Sequence, residues 1–407
     1  MVQQIVRLGP AEEKLIAQLT SAGAVAAAER LGGTGLPTRR VESYHYTDLK
    51  ALLRDVPNLS EVAHEAGAPA LRIPGAYRIV IVNGDIQHSG TAPAGVIVGS
   101  SDGAALSERD DVLVRLNTAL APETLTLNLD SSVDPVLHID HRIEGEAAHV
   151  ADSVRIFVGD GSSATIVETY SGSDAAHLGN HGSYVALGKG ASAIHIMVDL
   201  SGAKVRHFAS VEYELGEEAN LRTIALNAGS ALSRTQVFGR FAASGAHADF
   251  GGLNLVEDGQ HCDITLDIRH DVPNTTSTET YKTVGRGRSR GVFQGKIVVA
   301  KDAQKTNAKM MAHGLMLSDE AEIFAKPELE IFADDVVCGH GSTCGAPDEA
   351  SLFYLTSRGI PPVEAEAMLV RAFLAEVFDG IEDAELHEAL MSVADGWLRN
   401  AYGKAVA

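Results

Sequence analysis

The chain has 407 residues, enough for two or three domains around a sizeable buried core. Its 33 Lys and Arg stand against 54 Asp and Glu, a formal charge of −21 that repels phosphate backbones and anionic lipid and argues against nucleic-acid or membrane-surface partners. Hydrophobic residues make up 45%, yet no apolar run reaches the ~18 residues of a membrane helix, so neither nucleic acid nor membrane is expected as a partner.

Forty glycines beside only 5% aromatic residues predict many turns and thin packing layers rather than a helical bundle. Three cysteines, Cys262, Cys338 and Cys344, are too few for a disulfide framework in a chain of this size, and free thiols in a reducing compartment are expected. Met1–Pro10 carries neither a secretory nor a transit leader pattern, which adds up to an expectation of cytoplasm.

In chain order, Ala11 to Leu31 is built from good helix formers and closes on Gly32-Gly33, which predicts one helix. Thr47 is placed to cap a short helix carrying Leu49, Leu52 and Leu53. Residues 1–75 therefore read as an N-terminal helical domain. Arg78-Ile79-Val80-Ile81-Val82, ended by Asn83-Gly84, begins the strands, and a helix is expected within residues 104–122.

From Val150 to about Gly345 short strand-like runs alternate with glycine. Gly-x-x-Ala recurs at Gly161, Gly190, Gly216 and Gly245, at intervals of 29, 26 and 29 residues. Units of this length bury an apolar face only by stacking, and β-rich units without intervening helices predict a β-solenoid over residues 76–345. A β-sandwich is the alternative; the near-constant interval disfavours it.

Residues 346–407 return to helical patterning as a C-terminal helical domain. Asp348-Glu349-Ala350 opens a helix through Phe353, Tyr354 and Leu355 that Arg358-Gly359-Ile360-Pro361-Pro362 breaks. A second helix spaces Ala365, Met368, Leu369, Ala372 and Phe373 as one stripe, and a third carries Leu386, Leu390, Val393 and Leu398.

The common enzyme motifs are missing. No Walker loop is present, Gly285 to Gly291 is a basic turn rather than a dinucleotide fingerprint, and neither His64-Glu65 nor His387-Glu388 is followed by the second histidine of a zincin helix. The densest reactive stretch is Asp334 to Cys344. On an extended backbone Cys338 and His340 project from one face, as structural side chains, half of a soft metal site, or a Cys/His nucleophilic pair. Two ligands cannot close a tetrahedral site, so a functional version needs donors from elsewhere. Cys344, past a glycine-rich turn, and Cys262, at a repeat corner, read as small buried hydrophobes. The histidines at 195, 207, 247, 261, 270 and 313 fall singly and read as structural, and Arg286, Arg288 and Arg290 as a solvated turn.

Four strings then combine in order: Leu36 to Glu42 with Tyr46-Thr47-Asp48-Leu49; Phe293 to Ile297 with Ala303 to Ala308; Lys326 to Ile331 with Ala333 to Gly341; and Phe353 to Ile360. Together they resemble the SufB/SufD family of iron-sulfur cluster assembly proteins, and the match spans nearly the whole chain. The Leu-Pro-Thr-Arg-Arg segment and Cys338-Gly339-His340-Gly341 are most like the SufD branch. SufB-like chains carry a cysteine near the position of Ala312 and an acidic residue where Gly341 stands, and this chain has neither.

The resemblance implies a right-handed parallel β-helix between helical ends. It also implies a non-catalytic scaffold subunit that pairs with SufB through the solenoid and with the ATPase SufC through the C-terminal helices. ATP hydrolysis in SufC would then drive the conformational work. His340 and Cys338 would face a nascent iron-sulfur cluster shared with SufB, with no cofactor held stably by the isolated chain. Phe353, Tyr354, Arg358, Gly359 and Ile360 would form part of the SufC-docking surface. Reduced flavin in the complex is left open, without a motif of its own here, as is a homodimer when SufB is absent. The alternatives are a β-helix carbohydrate-active enzyme, which needs paired carboxylates on one groove face where Asp334 and Asp335 point apart, and a purely structural solenoid.

Overall fold

The computed structural model describes residues 7–60, 64, 65, 67–87, 90–103, 105–107 and 109–403, so the first six residues of Met1–Pro10 lie outside it. Among them, nineteen strands form two sheets whose members alternate along the chain, so that each turn contributes one strand to a ten-stranded sheet and one to a nine-stranded sheet. All neighbouring strands run parallel except the two pairs at the start, Tyr77–Val82 with Asp85–Gln87 and Val96–Ser101 with Thr124–Leu129. The result is a β-solenoid of about eight turns flanked by helices at both ends of the sequence. No described helix is long and apolar enough to cross a membrane.

The register shows how the repeat works. On the ten-stranded sheet Ser163, Ser192, Asn220, His247, Thr276, Asn307 and Val337 pair in succession, at spacings of 29, 28, 27, 29, 31 and 30 residues. Two residues before each of the first six, the backbone turns through positive φ, at Gly161, Gly190, Glu218, Gly245, Asn274 and Lys305. The Gly-x-x-Ala reading is therefore out of register by two at Gly216. That glycine serves a different need: a Cβ there would stand 2.7 Å from the carbonyl oxygen of Leu187 in the preceding turn, and the left-handed seat passes to Glu218.

Between the sheets lies the main core, filled by inward columns such as Ala164, Ala193 and Leu221 on one sheet and Ile156 and Val185 on the other, all buried. The outer faces are also covered, which is why the strands read as almost continuous apolar runs instead of a clean alternation. Over the nine-stranded sheet lie two N-terminal helices, Pro10–Ser21 and Val25–Thr34, with Val112–Leu120 from the region expected to be helical. The single helix expected from Ala11 to Leu31 is two, because Gly23 at φ +77° breaks it, and Gly32-Gly33 sits inside the second, which ends at Gly35 instead. The short helix is Leu49–Leu52, and its cap is Asp48, accepting from the Ala51 amide. Thr47 bonds His261 (2.9 Å) and Asp263, stitching the N-terminal segment to the sheet.

The C-terminal helices cover the ten-stranded sheet. Pro362–Ala375 and Ala384–Tyr402 set Val370, Leu374, Leu390, Trp397 and Leu398 against Val198, Ile224, Leu253 and Val284. A fully buried leucine such as Leu390 contributes about 2 kcal/mol of transfer free energy. The buried stripe of Pro362–Ala375 is Ala365, Ala367, Val370 and Leu374, whereas Met368 and Ala372 of the expected stripe face outward. The solenoid ends on two strands paired on one side only, Glu322–Ile331, with Pro327 near its middle, and Val337–Gly345.

Candidate functional site

Inward columns of the ten-stranded sheet run out at this open end. Ala248, Ser277 and Ala308 are buried, and the next member of their column is Cys338, half-buried against the core. Phe250, Glu279 and Met310 lead to His340, which is exposed. Cys338 and His340 therefore stand on one face of Val337–Gly345, the face that looks along the solenoid interior, and among the described residues no further turn lies over them. Gly339 between them has open space where a side chain would be, and Gly341 lets the strand pass Met311, whose sulfur would be 3.1 Å from a Cβ.

Cys344 is not beyond a turn. It belongs to the same strand and the same face, continuing the column of Asn254, Thr283 and Gly314, and it is exposed, with its sulfur 2.9 Å from the position a Gly314 Cβ would take. The glycines of this stretch are strand residues, not turn residues, although in the sequence they imitate a turn. The terminal strand thus presents thiol, imidazole and thiol at alternate positions with Ser342 between the last two. Burial pushes both thiols up from the ordinary range, and Cys338 is raised further by the charge of Glu279. As free thiols they are weak nucleophiles, and a soft metal that displaces the proton is the natural partner for such a set.

Cys262 is fully buried within His261–His270, bonded to Ser233 and Asn254 (3.0 Å each), with burial pushing its thiol strongly upward. It occupies a strand column shared with His207, Ser233 and Gly291, not the corner position where other turns place alanine.

The docking residues expected on the tail lie on Glu349–Ser357 and its turn. This helix starts only a few residues after the terminal strand, capped by Asp348 on the Ser351 amide (2.7 Å), and buries none of its residues. Phe353 is 74% exposed and Tyr354 58%, with the Arg358 guanidinium 5.1 Å from the Tyr354 ring centre. Gly359, at φ +88°, ends the turn and Ile360 is half-buried. The helix therefore carries two large aromatic side chains side by side on the surface.

A second constellation escaped the sequence reading. Inside the early turns His141 lies 3.0 Å from Asp152 and 2.9 Å from Glu168, His181 lies 3.0 Å from Asp152, and His195 lies 2.8 Å from Glu168, all essentially without exposure. Burial alone would lower the His141 pKa, but the two carboxylates raise it to about 10. The signal was partly present in the spacing: three of the four pairs stand 27 or 29 residues apart, one turn of the solenoid, while His141 and Asp152, 11 residues apart, meet across the two sheets.

Comparison with known proteins agrees with this architecture. The family model of the SUF system FeS cluster assembly SufBD core domain matches residues 141–373, more than half of the chain. The iron-sulfur cluster assembly protein SufD of Escherichia coli is 28% identical over 380 residues, covering 89% of this chain and 90% of that protein. An iron-sulfur cluster assembly SufBD family protein of Synechocystis is 26% identical over 398 residues, at 89% and 88% coverage, and one of Mycobacterium tuberculosis is 28% identical over 385 residues, at 88% and 89%. With the family model matching residues 141–373, this chain belongs to the SufBD family of SUF-system iron-sulfur cluster assembly proteins and is SufD-like within it.

Proposed function

We propose that this chain is the non-catalytic scaffold subunit of a SUF assembly complex, pairing with SufB through the open end of the solenoid and with the ATPase SufC through the C-terminal helices. The observation that carries the proposal is the unfinished column: Cys338 and His340 prolong interior columns onto an unpaired edge, so a second solenoid stacked there would enclose them in a shared core. The nascent cluster is the cargo built in that enclosure, with His340 as this chain's leading donor and Cys338 beside it. The exposed Phe353 and Tyr354 supply apolar anchors for SufC, with Arg358, Gly359 and Ile360 shaping the turn behind them.

The test is co-expression with SufB and SufC and measurement of iron and acid-labile sulfide in the purified complex. His340→Ala should leave the complex intact and reduce cluster content several-fold. Unchanged cluster content in that variant would make the terminal strand a purely structural edge. Failure to co-purify with either subunit would refute the pairing itself.

A further inference from the structure

The buried histidine cluster lies far down the columns from the terminal strand, and its donor geometry says more than charge balance. Glu168 accepts from four groups: His141 Nε2 (2.9 Å), His195 Nε2 (2.8 Å), the Tyr170 hydroxyl (3.1 Å) and the Ser183 hydroxyl (2.9 Å). It therefore fixes a proton on His141 Nε2. In a neutral ring that leaves the Nδ1 lone pair pointing at Asp152 Oδ1 from 3.0 Å, lone pair against carboxylate. His181 brings its own Nδ1 to 3.0 Å from both oxygens of the same carboxylate. His181 satisfies Asp152 as a neutral ring with its proton on Nδ1, but His141 has a carboxylate at each nitrogen, so either it carries a second proton or a cation occupies the space it shares with Asp152 and His181.

We infer that Asp152, His141 and His181 form a resident divalent-metal site inside the solenoid, of the zinc or ferrous class, with Glu168 as the carboxylate that orients His141. The three donor atoms lie within 4.8 Å of one another. Metal bonds of ~2.0–2.2 Å to nitrogen and oxygen place tetrahedral donors roughly 3.3 Å apart, close to the 3.0 Å of the two nitrogen–carboxylate pairs, with the two imidazole nitrogens within 4.8 Å of each other. A carboxylate on the far nitrogen of a ligating imidazole is the usual support of such a site. Independently, His207 stands beside the cluster with its ring 5.2 Å from His181 and 4.6 Å from Tyr170, fully buried, and its Nδ1 has no hydrogen-bond partner. It lies outside the three donors that stand within 4.8 Å of one another, and marks a buried polar position beside them that is left unsatisfied among the described residues. Binding would expel the extra proton of His141, shift the His181 proton from Nδ1 to Nε2, and leave a dication facing two carboxylates, Asp152 and Glu168, which closes the charge balance without imidazolium.

A site sealed this deeply fills as the chain folds, so the experiment uses the full chain produced in zinc-supplemented medium, dialysed against chelator and assayed for metal by mass spectrometry. About one equivalent of tightly held metal per chain is expected, and refolding with Co2+ should give the intense visible absorption of a tetrahedral nitrogen and oxygen site. His181→Gln should cut the retained metal about tenfold or more, while the double variant Cys338→Ala/His340→Ala keeps it. Folded wild-type chain that holds no metal and gains neither Co2+ absorption nor thermal stability on refolding with Zn2+ or Co2+ overturns the inference. So does metal that survives His181→Gln and vanishes in the double variant, since the ion would then sit on the terminal strand. Should His181→Gln fail to fold, the wild-type metal content and Co2+ spectrum decide the matter alone.

Discussion

Glu279 lies two turns beneath His340 in one inward column, with Met310 between them. Its carboxyl is fully buried, neither oxygen meets a hydrogen-bond donor in good geometry among the described residues, and burial pushes its pKa up to about 8. The unfolded chain ionises near 4.5, so the native state holds this proton more tightly. The stability it confers is complete below pH 4.5 and is lost as pH rises to about 8, at up to about 1.4 kcal/mol per pH unit. Glu279→Gln should flatten that slope, read as urea midpoints at pH 6, 7 and 8. A variant with the wild-type slope would show that Glu279 is not the titrating group. The same substitution removes a charge that raises Cys338, so alkylation of that thiol should accelerate at alkaline pH.

Arg234 and Asp263 form an ion pair with both side chains completely buried, roofed by the Tyr44 ring 4.2 Å from the guanidinium carbon, while Tyr44 itself donates to Asp111 (2.8 Å). Arg234→Met strands a carboxylate in the interior and should cost about 3–5 kcal/mol. Thermal unfolding measures it; a loss below about 1 kcal/mol would mean that Thr47 and Thr265, the other partners of Asp263, suffice.

Phe353 and Tyr354 pack against nothing that their removal would unfold. The double variant Phe353→Ser/Tyr354→Ser should leave the melting temperature of the isolated chain nearly unchanged, with an effect within about 0.5 kcal/mol. Affinity for the ATPase subunit should fall about 30-fold or more, as for a hot-spot pair. Calorimetric titration that finds wild-type affinity would place the ATPase elsewhere.

The two kinds of corner glycine should respond differently. Gly190→Ala meets open space but a backbone at φ +63°, and should cost about 1 kcal/mol. Gly216→Ala drives a methyl group to 2.7 Å from the Leu187 carbonyl oxygen and should cost about 2–3 kcal/mol. Equal urea midpoints for the two variants would contradict the distinction.

That distinction also marks where the sequence stopped being legible. The length of the repeat and the solenoid were readable because every turn must cross the same distance and bury the same inner face. The phase was not, since a glycine kept for close approach and one kept for positive φ are the same letter, and Glu218, Asn274 and Lys305 hold the left-handed seat without being glycine. Alternation along an extended strand was enough to put Cys338 and His340 on one face. It could not place Cys344 with them, because Gly339, Gly341 and Gly345 suggest a loop until the pairing with Asn307–Met316 is known. The His141, Asp152 and Glu168 cluster joins residues one turn apart and residues on opposite sheets, and contacts of either kind appear only once the turns are superimposed.

Pro327 gives the two bare edges unequal characters. Proline carries no amide hydrogen and is accepted in a sheet where that lack faces outward, so the row of donors along Glu322–Ile331 is broken near its middle, while Val337–Gly345 offers an unbroken one. Any chain that extends this molecule would zip onto the ten-stranded side first and meet the other side through side chains more than through backbone. The approach of a partner is thereby given a direction, and a mismatched strand finds only half of a template on which to aggregate.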